Sequence, residues 1–103
     1  MSPPQVRERT DADVAEVVAL LLRQQSGSRY PYRDPLPFAP ELFVRRAGEL
    51  VSWVTVLDGR VVGHVAVVAV VDDEVGRRWS EGTGRPVHDL GAVSVLVVDE
   101  EQR

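Results

Sequence analysis

The stretch VSWVTVLDGRVVGHVAVVAVV, from Val51 to Val71, constrains the fold more than any other part of the chain. Two valine-rich runs flank Asp58-Gly59, a dipeptide that accepts the positive φ angles of a tight two-residue turn. The pattern predicts an antiparallel hairpin with Val51–Leu57 against Val61–Val71. Along the first arm Val51, Trp53, Thr55 and Leu57 share one face and Ser52, Val54 and Val56 the other. Both faces carry apolar side chains, so the sheet built on this hairpin is expected to be covered on both sides. His64 falls in phase with Val62, Ala66 and Val68, which reads as a satisfied core or rim histidine.

Other elements can be placed around the hairpin. VRERT, Val6 to Thr10, is short enough for an opening strand, and Thr10 with Asp11 and Asp13 after it forms a helix start, where carboxylates favour the dipole. Val14, Val17, Val18 and Leu21 then recur at i, i+3, i+4 and i+7 as the buried stripe of a helix that fades at QQSGS, with Gly27 as its stop. Residues 26–40, SGSRYPYRDPLPFAP, hold four of the seven prolines and read as a long loop or lid. Its aromatics Tyr30, Tyr32 and Phe38 are expected to cover the core or to line a ligand site. APELFVRRAGEL reads as a second helix with Leu42, Phe43 and Ala47 turned inward. DDEVGRRWSEGTGRPVHD reads as a polar, glycine-rich loop with room for one turn of helix, before a last strand over Ala92–Val98.

Composition excludes several classes. With 44% hydrophobic and 27% charged residues the chain is globular. A net charge of -4 and no basic run argue against nucleic-acid binding. All 12 basic residues are Arg, and Lys, Ile and Asn are absent, the mark of coding bias in a GC-rich genome. There is no cysteine, hence no disulfide framework or thiolate metal site. No apolar run is long enough to span a bilayer, so the expected location is the cytoplasm, away from membranes. The run Asp72–Glu74 reads as a solvated turn rather than a metal site, and Gly82-Thr83-Gly84 lacks the strand-to-helix context of a phosphate loop. No metal site is expected.

The order of elements is strand, helix, Pro-rich segment, helix, hairpin, loop, strand, and LDGRVVGHVAV and LGAVSVLVVDEEQR occupy the last two places. In this order and these motifs the chain resembles the amino-terminal half of the GNAT family of N-acetyltransferases, over essentially its whole length. The resemblance implies an α+β fold, a mixed and mainly antiparallel sheet with helices on its faces. Residues 1–103 would form one partial domain, incomplete at the carboxy terminus. VVDEEQR is similar to the end of the family's fourth strand and the start of its acetyl-coenzyme A loop, Arg/Gln-x-x-Gly-x-Gly/Ala. Arg103 would be its first residue, and the glycines are not in the chain. Such a loop presents backbone N–H groups and a helix dipole to a pyrophosphate.

The resemblance further implies transfer of an acetyl group from acetyl-CoA to a primary amine, on a small molecule or a peptide. Backbone groups of Leu96, Val97 and Val98 would pair with the pantetheine arm and polarise the acetyl carbonyl. Three apolar strand residues are also, more simply, core. His88, beside Asp89, is the candidate base, weighed against a merely solvated loop histidine. Tyr30, Tyr32 and Phe38 mark where the acceptor would sit. The chain alone is expected to be inactive. An alternative is a non-catalytic binding or self-assembly module. It follows from the last strand, where Val93, Val95 and Val97, or else Ser94, Leu96 and Val98, would present apolar surface to a second copy, giving a homo-oligomer.

Overall fold

The hairpin closes as its sequence predicts. In the computed structural model, which describes residues 3–28 and 39–99, Asp58 and Gly59 adopt φ of 50° and 79° between strand β2, Glu49–Leu57, and strand β3, Arg60–Ala69. Positive φ at both turn residues matches the right-handed twist of the two strands, which pair antiparallel from Glu49↔Val68 to Leu57↔Arg60. Strand β1, Gln5–Glu8, pairs antiparallel with β2, and strand β4, Gly91–Val98, pairs antiparallel with β3. The sheet order is β1-β2-β3-β4, and the architecture is α+β.

Helix α1, Val14–Ser28, runs one residue past Gly27, the expected stop. Its start is capped by a 3₁₀ turn, Asp11–Asp13, in which the Asp13 carboxylate accepts hydrogen bonds from the Thr10 backbone N–H at 2.7 Å and the Thr10 hydroxyl at 3.0 Å. Val14, Val17, Val18 and Leu21 are buried as the periodicity requires, and Leu20 joins them. They pack on Val54, Val61, Val95 and Val97 of the sheet, with Phe43 and Val44 filling one end. The Glu16 carboxylate accepts the Val61 N–H and pins the helix to the start of β3.

Three expectations are corrected. Helix α2 spans only Pro40–Val44, too short to present a long stripe; it buries Phe43 and Val44, while Leu42 and Ala47 are exposed. The polar loop contains helix α3, Glu74–Thr83. Its glycines hid it, yet Asp73 caps it by accepting the Gly76 N–H at 2.8 Å, Glu74 pairs with Arg78 one turn on, and Gly84 ends it at φ 71°. Gly76 is required by closeness, since a Cβ there would meet the Val71 carbonyl oxygen at 1.9 Å. Gly82-Thr83-Gly84 is thus a helix end, whose carbonyls repel rather than attract a phosphate.

The third concerns the sheet faces. α1 and α2 cover the face of Ser52, Val54, His64 and Ala66, all buried. On the other face Val51, Trp53, Thr55 and Leu57 are only half-buried, and Val6, Val93, Leu96 and Val98 are exposed. Among the described residues, that face is covered only in part. None of the helices there is long and apolar enough to cross a membrane.

Candidate functional site

β4 does not alternate cleanly. Val93, Leu96 and Val98 are exposed while Val95 and Val97 are buried, so neither simple set, odd or even, describes the strand. The register shows why: His64 pairs with Val97 and Ala66 with Ser94, so Val95 and Leu96 together stand opposite the single Val65. One extra residue makes a β-bulge, and every side chain beyond it changes face. Val95 takes φ of 51°, a left-handed conformation that is an outlier for a β-branched residue and costs of order 1–3 kcal/mol. Its side chain is 1% exposed, so the core holds it in place.

A polar cluster lies beneath the bulge. The Arg9 side chain, 6% exposed, donates from Nη1 to the Val44 carbonyl at 3.2 Å and to His64 Nε2 at 3.0 Å. Its Nη2 donates to Glu49 Oε2 at 2.7 Å, which also accepts the Ser52 hydroxyl at 3.4 Å. A guanidinium can only donate, so His64 Nε2 accepts and the imidazole proton sits on Nδ1. That Nδ1–H donates to the Val95 carbonyl at 2.9 Å. Burial pushes the His64 pKa below its ordinary value; the Val95 carbonyl opposes this, Arg9 adds to it and Glu49 opposes it. The imidazole is therefore a neutral, fully bonded core group.

Above the bulge, on the open face, Val6, Trp53, Thr55, Val65, Leu96 and Val98 line a shallow apolar groove of about 180 Å³. β4 lies at one end of the sheet order, so its outer edge pairs with no strand among the described residues. A bulged strand with one open edge beside an apolar groove can receive an extended chain carrying amide groups along the edge and apolar atoms in the groove.

The residues singled out from sequence are only partly brought together. Leu96 and Val98 rim the groove and Val97 points to the core beside His64. His88 lies in the 3₁₀ turn Val87–Asp89, just before β4. Its side chain is 83% exposed, with Nε2 at 3.4 Å from Asp89 Oδ1. Gly91 and the bulge at Val95 are four residue steps apart, about 13 Å of extended chain. Tyr30, Tyr32, Phe38 and Arg103 lie outside the described residues. Sequence reasoning missed Arg9, Glu49 and Val95. Arg9 and Glu49 stand just past the end of β1 and at the start of β2, where charged residues are ordinary, and carried no local signal.

No family model matches the chain, and no curated protein matches it. Among solved structures it is similar to a proposed acetyltransferase from Pyrococcus horikoshii, with 19% identity and a TM-score of 0.63. The match covers 96% of this chain and 65% of that one, so this chain spans less than two thirds of that protein's length. At such identity the likeness is one of fold: the strands and helices described above are arranged as in that protein.

Proposed function

We propose that this chain is the amino-terminal part of a GNAT-like N-acetyltransferase whose fourth strand receives the pantetheine arm of acetyl-CoA. The observation that carries the reading is the bulge at Val95 and Leu96 on an open-edged β4, in a chain whose fold is similar to that of a proposed acetyltransferase. Acetyl-CoA supplies an activated thioester. The chain supplies backbone groups at Leu96, Val97 and Val98 to align the arm, and a fixed N–H at the bulge to polarise the acetyl carbonyl. The acceptor is a primary amine, on a small molecule or a peptide. A base first takes one proton from the ammonium through water, the freed nitrogen lone pair bonds to the acetyl carbon, the carbon–sulfur bond breaks, and a second nitrogen proton passes to the departing thiolate. His88 is the proposed base, with Tyr30, Tyr32 and Phe38 on the acceptor side. Arg103 is proposed to touch the pyrophosphate.

The apolar groove and open edge fit the pantetheine half of the cofactor. The glycines that would cradle a pyrophosphate are not in these residues, so binding to this chain is expected to be weak and turnover absent. Backbone amide NMR of the chain with acetyl-CoA tests this. Millimolar, fast-exchange shifts centred on Leu96–Val98 are expected, and no shift there at saturating ligand overturns the reading. A second reading, a self-assembling module without catalysis, draws on the exposed apolar residues of the same strand.

A further inference from the structure

We infer that His64 is a positioning residue: its Nδ1–H, fixed in place by Arg9, holds the Val95 carbonyl and thereby maintains the bulge of β4.

The chain of contacts is directional at every link. Glu49 Oε2 and the Val44 carbonyl orient the guanidinium of Arg9 from two sides. So oriented, Arg9 offers Nη1–H to His64 Nε2 and forces the tautomer that carries its proton on Nδ1. The other tautomer would set two N–H groups against each other at 3.0 Å. Nδ1–H in turn meets the carbonyl of Val95, the bulge residue with positive φ, at 2.9 Å.

Without that bond, Val95 would keep the cost of φ 51° and gain a buried, unsatisfied carbonyl. The regular alternative, with Val95 in extended conformation, would reverse the faces of the residues after it and turn Val97 out of the core. The cluster therefore spans β1's end, β2, β3 and β4 to fix one backbone angle. Its consequence for acetyl transfer rests on the proposed function of β4, because a bulge held to one geometry places its N–H groups before ligand arrives.

Three variants separate the two hydrogen bonds. His64→Asn keeps a donor at the Nδ1 position and loses the acceptor for Arg9. His64→Gln keeps the acceptor and loses the donor, and His64→Phe removes both. NMR of the chain reads the left-handed backbone shifts of Val95 and the amide exchange of Val95 and Leu96. The expected result is retention in His64→Asn, and loss of the left-handed shifts with exchange on the order of ten-fold faster in His64→Gln and His64→Phe. Unchanged Val95 shifts in the Gln and Phe variants overturn the inference. Should those variants fail to fold, the wild-type imidazole decides: nitrogen shifts that place the proton on Nε2, or a rapidly exchanging Nδ1–H, overturn it equally. If the bulge depends on His64 but wild type shows no acetyl-CoA shifts on β4, the clamp stands and the functional reading of the strand fails.

Discussion

Arg7 grips Asp13 with both terminal nitrogens, Nη1 to Oδ2 at 2.7 Å and Nη2 to Oδ1 at 2.9 Å. The pair ties an exposed edge strand to the cap of the helix that carries the largest share of the core. Because Asp13 is 8% exposed and also receives the Thr10 N–H, it joins β1, the 3₁₀ turn and α1 at one point. Asp13→Ala is expected to destabilise the chain by about 1–2 kcal/mol, the range of a lost cap, with loosened β1 amides in hydrogen exchange. Unchanged urea midpoints would show that β1 is held by its ladder alone.

Acid sensitivity should have two windows, set by groups shifted for different reasons. The Arg7 guanidinium foremost, then the Thr10 hydrogen bonds, hold the Asp13 pKa well below the carboxylate range, against the effect of burial. A depressed carboxylate gives stability that is full above its unfolded value, near 3.9, and is lost as pH falls toward the folded one. His64 is also depressed, but there the favoured form is neutral. The unfolded chain then takes up its proton first, and stability begins to fall below about pH 6.5. Arg9 and Glu49 are the charges that face it. Stability against pH for wild type and His64→Asn should differ in slope as pH falls below about 6.5 and run parallel above about pH 7.5. Parallel curves throughout would mean that His64 protonates as easily folded as unfolded.

Turn geometry gives a third expectation. Gly59 sits at φ 79° with open space where a Cβ would go, so the cost of Gly59→Ala is backbone strain alone. A loss of about 1–2 kcal/mol is expected, while Asp58→Asn, which tolerates the left-handed φ of 50°, should be nearly neutral. Equal destabilisation by both would argue that the turn relaxes to another type.

The hairpin was legible because Asp-Gly and alternating valines report directly on local backbone, and the stripe of α1 because period 3.6 has one reading. α3 was not. Gly76 and Gly82 lower helix propensity, and the reason for Gly76, contact with the Val71 carbonyl, is tertiary. The bulge was hidden for a related reason. VSVLVV offers two alternations, and which residues face the core depends on an extra residue opposite Val65, fixed by His64 across the sheet. His64 itself could be read as a core histidine from its phase with Ala66. Its partners, Arg9 and the Val95 carbonyl, lie 55 and 31 residues away and leave no local trace.

The last expectation concerns β4 as a surface. It ends the sheet order, and Val93, Leu96 and Val98 are 67%, 60% and 38% exposed beside Val6 at 70%. These side chains share the face of the apolar groove, so strand edge and apolar patch are continuous, and a second copy of the chain matches both. Two β4 strands paired antiparallel would extend the sheet across a two-fold axis and satisfy each other's edge groups. Sedimentation at micromolar concentration should show concentration-dependent dimer. Leu96→Asp should weaken it by roughly ten-fold or more, the scale of about 1.5–3 kcal/mol for a leucine leaving an apolar contact. At 60% exposure Leu96 is not needed for the fold, so circular dichroism of the variant should match wild type. Acetyl-CoA, competing for the same edge, should shift the wild-type equilibrium toward monomer. A well-folded monomer of the wild-type chain at high micromolar concentration would exclude the dimer and leave the groove to the cofactor alone.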